Sequence, residues 1–363
     1  MSMRHGSSRN LLATIVPIAA LLLVSCGGSN QPNVAGQGSA ERTSGSGVKL
    51  NGAGATFPAP IYQKWFGKYH TLHPDVEINY QAVGSGAGIK QLTDGTVDFG
   101  ASDMPLKDEQ IAAMKVKPLH FPTVLGAVVL SYNVAGVNTP LKFSPDTIAD
   151  IYLGKITKWN DPRILKDNPG VKLPNEDIVV VRRTDGSGTT FVFTDYLSKI
   201  SPEWKTKIGA NTSVSWPGQT LGGNGNAGVA GLLKQTQNSI GYVELIYAEQ
   251  NKMPYASIKN PAGNFVKPTL DTVTAAAAAA ANDMPADFRV SITNAGGMNA
   301  YPISTFTWLL IPSQFPDAAK AAAIKGFLEW MLADGQKYAA GLTYAPLPKE
   351  VAAKAGEQIA LVK

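Results

Sequence analysis

Apolar and polar residues alternate with period two in Val76-Glu77-Ile78-Asn79-Tyr80 and again in Val97-Asp98-Phe99-Gly100-Ala101, which predicts two half-buried strands. Thr123 to Tyr132, Ile178 to Val181 and Thr305 to Ile311 are continuous apolar runs, the pattern of strands buried on both faces. Helical spacing lies between them. Ile61, Trp65 and Tyr69 recur every fourth residue. Ser144-Pro145 reads as an N-cap with proline at the first helical position, ahead of Ile148, Ile151 and Tyr152. Ile324, Phe327, Leu328 and Met331 mark a late amphipathic helix. The alanine run from Ala275 to Ala281 predicts a surface helix of high intrinsic propensity. This order predicts an α/β protein whose lobes are built on mixed sheets. The two long apolar runs are candidates for strands passing between lobes. Lobe I is then discontinuous, 49–127 plus 303–363, and lobe II, 128–302, is inserted in it.

The first 48 residues carry a different pattern. Arg4 and Arg9 precede an apolar run from Leu11 to Val24, short for a membrane span but suited to the core of a signal peptide over 1–25. The run ends in Leu23-Val24-Ser25-Cys26, which resembles the bacterial lipobox and implies lipidation of Cys26. The alternative is an ordinary signal peptide with an incidental cysteine. Cys26 is the single cysteine of the chain, so no internal disulfide can form. Residues 26–48 read as the lipidated cysteine and a flexible linker, rich in Gly and Ser, with an r.m.s. reach of roughly 25 Å.

Composition narrows the function. The chain has 363 residues, 44% hydrophobic and 16% charged, enough for packed domains and too apolar for general disorder. Removing Arg4 and Arg9 from 32 basic residues, against 27 acidic ones, leaves a charge of +3, too small and dispersed to argue for nucleic acid. The four histidines, His5, His70, His73 and His120, form no metal-binding pattern, so no metal or cofactor is expected.

Three short segments carry candidate chemistry. In Gly52-Ala53-Gly54-Ala55-Thr56-Phe57-Pro58 a glycine-rich turn opens the Ile61 helix, with Thr56 placed as its N-cap. Free N–H groups at such a start attract an anion; the alternative is a plain helix start. Gly84-Ser85-Gly86-Ala87-Gly88 opens a second helix, and its small residues permit close backbone approach. Val181-Arg182-Arg183-Thr184-Asp185-Gly186-Ser187-Gly188-Thr189-Thr190-Phe191 runs from strand through a tight turn into a third. There N–H groups, hydroxyls and the Arg183 guanidinium converge, an oxyanion site, with Asp185 placed to hold the guanidinium. The alternative is a surface Arg–Asp pair beside a turn.

Asp103, in Phe99-Gly100-Ala101-Ser102-Asp103-Met104-Pro105, sits awkwardly beside an anion unless that anion carries a proton. The carboxylate then accepts a hydrogen bond from the ligand O–H. Such a site favours phosphate and repels fully ionised sulfate.

The segments 52–60, 84–91, 97–105 and 181–191 closely resemble the phosphate-binding protein of bacterial ABC-type phosphate importers. The resemblance continues through Asp150–Ile156, Gly241–Glu244 and Tyr344–Pro348 and covers essentially all of 49–350. It implies a type II-like two-lobe periplasmic binding protein with the ligand cleft between the lobes. The implied phosphate-binding residues are Thr56, Phe57 through its backbone, Ser85, Asp103, Arg183, Asp185, Ser187, Gly188 and Thr189. The family often has a second Ser and then a Gly where this chain has Gly86 and Ala87. The implied partners are inorganic phosphate, the membrane subunits of a permease with a separate ATPase, and a membrane reached through the Cys26 lipid, outside the cytoplasm.

Two other classes compete with this reading. A phosphate-ester hydrolase needs an activated nucleophile, and the chain has no Gly-x-Ser-x-Gly elbow and no histidine in the three segments. A surface adhesion or signalling protein on the same fold would not need the matching ligand set. Gly223-Asn224-Gly225-Asn226-Ala227-Gly228 matches a dinucleotide fingerprint in form, but follows Trp216-Pro217-Gly218 and no apolar strand. It reads as a loop approaching the cleft rim.

Overall fold

The structure, a computed structural model, describes residues 47–137, 139–280 and 284–363. The leader, Cys26 and the linker through Ser46 lie outside the described residues, as does Ala281. Eleven strands are described: β1 (Val48–Gly54), β2 (Val76–Ala82), β3 (Phe99–Ser102), β4 (Pro118–Asn133), β5 (Lys142–Phe143), β6 (Val179–Arg183), β7 (Thr220–Gly223), β8 (Ser239–Glu244), β9 (Ser257–Lys259), β10 (Phe265–Val266) and β11 (Ser304–Pro312). Eight of them form one mixed sheet in the order β2-β1-β3-β11-β4-β8-β6-β7, and β10-β9-β5 form a small second one. Both ends of the large sheet are parallel, β2-β1-β3 and β8-β6-β7. Its middle, β3-β11-β4-β8, is antiparallel.

β4 joins the two ends. It pairs with β11 from Pro118 to Ala127 and with β8 from Val128 to Asn133. Its side chains are buried from Pro118 to Tyr132, as its long apolar run requires. β3 begins at Phe99, two residues later than the alternation suggests. The carboxylate of Asp98 instead accepts from the Asn51 N–H (2.8 Å) and from Lys320 Nζ (2.8 Å).

The helices follow their apolar spacing. The Ala59–Leu72 helix buries Ile61, Tyr62, Trp65, Phe66 and Tyr69. The Ala318–Leu332 helix buries Ile324, Phe327, Leu328 and Met331, and the rings of Phe66 and Phe327 meet at 5.2 Å. Pro145 opens the Pro145–Tyr152 helix, but the Ser144 hydroxyl contacts Thr147 Oγ1 and Asp167 (2.8 Å each) and caps no amide. Ala275–Ala279 of the alanine run lie in the Leu270–Ala279 helix. It is more than a surface helix, because Val273, Ala276 and Ala277 are buried on its inner face.

Four parallel strands end in turns that open helices. β1 leads to Ala59–Leu72, β2 to Ser85–Asp94, β6 to Gly188–Ile200 and β7 to Gly225–Gln235. Crevices beyond the carboxyl ends of parallel strands are where open α/β sheets bind ligands.

Candidate functional site

β6 delivers Arg183 as its last residue, and the chain turns at once to place Asp185 and the start of the Gly188–Ile200 helix beside it. Arg183 Nε donates to Asp185 Oδ1 at 2.8 Å, and Nη2 donates to Oδ2. The third nitrogen, Nη1, donates to Thr189 Oγ1 at 3.3 Å. Side-chain exposures of 1% and 13% place this two-pronged pair inside the protein. Asp185 Oδ1 also accepts from the Gly225 N–H at 3.0 Å. Burial pushes the Asp185 carboxyl up, but the Arg183 hydrogen bonds and charge outweigh it, and the group ends below the usual carboxylate range.

Ser187 caps its own helix, Oγ accepting from the Thr190 N–H at 3.0 Å, so its hydroxyl hydrogen remains to donate. The Gly188 N–H donates to Ser85 Oγ at 3.0 Å, joining the third predicted helix start to the second. Only glycine fits there. A Cβ on Gly188 would lie 2.4 Å from Ser85 Oγ and 2.5 Å from Asp103 Oδ2. A second tie links the same turns, Gly86 N–H to Gly186 carbonyl at 2.8 Å. A Cβ on Gly86 would lie 3.1 Å from the Gly186 Cα, so the missing side chain lets the two backbones touch.

Asp103 follows β3 and is 1% exposed. Its Oδ1 accepts from Thr307 Oγ1 at 2.8 Å, and its Oδ2 has no partner. Burial raises its pKa to about 7, opposed by the Thr307 hydrogen bond and the Arg183 charge. A buried acceptor without a donor is costly and marks the face where a donor is wanted.

Thr56 and Phe57 are also buried here. Thr56 is not the N-cap the sequence suggests. The cap position is Pro58, with no side-chain cap bond. Thr56 Oγ1 faces Asn226, accepting from its backbone N–H at 3.2 Å and from Nδ2 at 2.9 Å. The Thr56 carbonyl accepts from Tyr247 Oη and the Phe57 carbonyl from Tyr344 Oη, each at 2.6 Å. Phe57 packs so closely that a Cβ on Gly126 would meet its ring at 2.6 Å.

The structure thus brings the nine predicted residues together as two hydrogen-bonded groups, Ser85 with Asp103 and Gly188, and Arg183 with Asp185, Thr189 and, through Asn226, Thr56. The groups meet at the chain neighbours Gly188 and Thr189, and Phe57 and Ser187 adjoin them in the chain. Sequence reasoning missed Asn226 and Thr307. Asn226 had a signal: its Gly-Asn-Gly-Asn turn follows a strand and opens a helix, as the other three segments do. That strand, β7, has the sequence Thr-Leu-Gly-Gly, too short and too poor in apolar residues to recognise. Thr307 had none, being one hydroxyl inside the apolar run of β11. Among the described residues no group of three or more potential ligands could hold a metal ion, and no helix is long and apolar enough to cross a membrane.

The arrangement is a buried cluster of hydroxyl and N–H groups with one guanidinium paired to a carboxylate and one carboxylate oxygen, Asp103 Oδ2, without a donor. The PBP superfamily domain matches residues 35–335. The phosphate-binding protein PstS of Xylella fastidiosa (strain Temecula1) is 45% identical over 325 residues, covering 89% of this chain and 88% of that protein. The phosphate-binding protein PstS of Pasteurella multocida is 44% identical, covering 84% and 88%. Among solved structures, a high affinity periplasmic phosphate-binding protein (PfluDING) bound with phosphate matches with a TM-score of 0.70 at 22% identity. That match covers 86% of this chain and 94% of the other.

Proposed function

The chain belongs to the PBP superfamily and, within it, to the family of phosphate-binding proteins, and on that premise we propose that it captures inorganic phosphate outside the cytoplasm and hands it to an ABC-type permease. It is a binding protein, not an enzyme. One observation carries the choice of ligand: Asp103 Oδ2, buried and without a donor, beside an arginine already neutralised by Asp185. A monoprotonated or diprotonated phosphate supplies the missing O–H, and its other oxygens accept from Arg183, Ser85, Thr56, Thr189, Ser187 and the Phe57 backbone, while the Gly188 N–H holds Ser85 Oγ in place beside it. Sulfate has no proton to give and meets a bare carboxylate.

We place the lobes at 49–127 plus 303–363 and 128–302. The exchange of strand partners in β4 between Ala127 and Val128 supports this division. So does the Val128 N–H bond to the Ile303 carbonyl at 2.9 Å, where the chain returns. Ser85 to Gly188, Gly86 to Gly186 and Thr56 to Asn226 then tie one lobe to the other, and phosphate stabilises the closed form by binding both. Cys26, lipidated and with 1–25 removed, tethers the body to a membrane. Cys26→Ala should release the protein from the membrane fraction and leave its phosphate affinity unchanged. Retention in that fraction would remove the anchor from the account.

Calorimetric titration of the purified protein with phosphate, arsenate and sulfate tests the reading. Phosphate should bind one-to-one at micromolar concentration or tighter, with a smaller radius of gyration by small-angle scattering. Absence of binding heat, or turnover of a phosphate ester, would overturn it.

A further inference from the structure

Asn226 is fully buried, and its backbone N–H and both side-chain polar atoms are engaged. Its position depends on the glycines around it. Gly225 has φ +65°, and a Cβ there would press on Thr56 Cγ2 at 3.3 Å; a Cβ on Gly223 would lie 2.5 Å from the Val229 nitrogen. Oδ1 of Asn226 accepts from the Glu244 backbone N–H at 2.9 Å. A backbone N–H can only donate, so this contact decides which end of the amide is oxygen. The NH2 end then faces Thr56 Oγ1 at 2.9 Å and Thr189 Oγ1 at 3.1 Å, one hydrogen for each.

Each of those hydroxyls receives a second donor. Thr56 Oγ1 accepts from the Asn226 backbone N–H at 3.2 Å, and Thr189 Oγ1 accepts from Arg183 Nη1 at 3.3 Å. A hydroxyl oxygen has two lone pairs and one hydrogen. With both lone pairs facing groups that can only donate, the single remaining capacity is to donate. Ser85 reaches the same condition without Asn226, its Oγ accepting from the Gly188 N–H at 3.0 Å and the Asp103 N–H at 3.3 Å.

We propose that Asn226 is a positioning residue that fixes the hydroxyls of Thr56 and Thr189 as obligate donors to the ligand, its own orientation being locked by the Glu244 N–H. This rests on the phosphate reading and deepens it. A hydroxyl left free to rotate serves a ligand donor as readily as a ligand acceptor. Fixed as donors, Thr56 and Thr189 demand bare, accepting oxygens, while Asp103 Oδ2 demands a proton. The polarity of the site is thereby divided, with one acceptor at one place and donors elsewhere.

The test is a double-mutant cycle on phosphate affinity, with Ser85 as the internal control. In the wild type, Thr56→Val, Thr189→Val and Ser85→Ala should each weaken phosphate by about 10-fold or more, the effect of losing a hydrogen bond to a charged group. Asn226→Asp replaces the donor by an acceptor, so both threonine hydroxyls turn to it, and phosphate should weaken by about 100-fold or more. In that background Thr56→Val and Thr189→Val should cost less than about 2-fold each, while Ser85→Ala keeps its full cost. Asn226→Ala, which adds no charge, is the second variant. There too the threonine costs should shrink and the Ser85 cost persist.

Threonine costs unchanged in both backgrounds would show that Asn226 directs neither hydroxyl and overturn the proposal. A collapse of the Ser85 cost together with the threonine costs would mean a general structural role and also overturn it. Failure of the wild type to bind phosphate overturns the phosphate reading, and the proposal with it. Wild-type binding without the selective coupling overturns the proposal alone.

Discussion

Asp185 and Asp103 are carboxylates of one site, and the protein drives them in opposite directions. Asp185 lies against Arg183, takes two of its three nitrogens and accepts a backbone N–H as well. Its carboxyl is held below the usual range despite burial. Asp103 is buried more deeply, receives only the Thr307 hydroxyl, and is pushed up to about 7. The difference separates two tasks. Asp185 offsets the guanidinium, so the site does not rely on a bare cation that would draw any anion. Asp103 keeps one oxygen free, so the site asks its ligand for a proton.

The largest disturbance of this balance is Arg183→Ala. It removes the ligand's ionic partner and leaves Asp185 charged beside the anion. Loss of one member of a buried charge pair costs about 2–5 kcal/mol, and calorimetry should show phosphate weakened by at least that much. A loss no greater than that of Ser85→Ala would mean that the guanidinium serves Asp185 and not the ligand. Ser85→Ala should cost less, about 1.5–3 kcal/mol, as one hydrogen bond to a charged group.

The Asp103 half can be sharpened without ligand. A carboxyl raised from 3.8 in the unfolded chain to about 7 when folded keeps its proton longer in the native state. Its contribution to stability is therefore present below pH 4 and is lost as pH rises through 7, by about 1 kcal/mol per pH unit. Glu244, also raised by burial, adds a slope of the same sign. His120, lowered by burial to about 4, adds the opposite one over pH 4 to 6.5. The His120 term is shared by wild type and Asp103→Asn, whereas the Glu244 slope shrinks in the variant because the Asp103 charge adds to its rise, so the difference between their denaturation curves reads Asp103 together with its coupling to Glu244. The variant should gain on the wild type between pH 4 and 7, and parallel curves would show that Asp103 is not held protonated.

Much of this was legible in the sequence, and the misses have physical causes. Apolar spacing marks the Ala59–Leu72 and Ala318–Leu332 helices because each buries one face. The Gly-rich turns announce Ser85, Arg183 and Gly188, because close backbone approach needs small residues at fixed places. Asn226 escaped, since the strand before it is four residues with two glycines. β4 is longer than its apolar run because Pro118, His120 and Pro122 interrupt the pattern while the pairing to β11 continues past them, with a register shift between Pro122 and Val124. The cap assigned to Thr56 failed because its side chain turns toward Asn226, a residue 170 positions away that local spacing cannot reveal.

The most direct measurement is the ratio of sulfate to phosphate dissociation constants for wild type and Asp103→Asn, by calorimetry, from pH 6 to 8.5. In the wild type the ratio should be large at pH 8.5 and fall as pH drops below about 7, where a protonated Asp103 can donate to sulfate. In Asp103→Asn the ratio should be smaller, with that part of the pH dependence gone, and phosphate itself only modestly weakened. An equal ratio in the two proteins, with the same pH dependence, would contradict the claim that Asp103 accepts the ligand's proton.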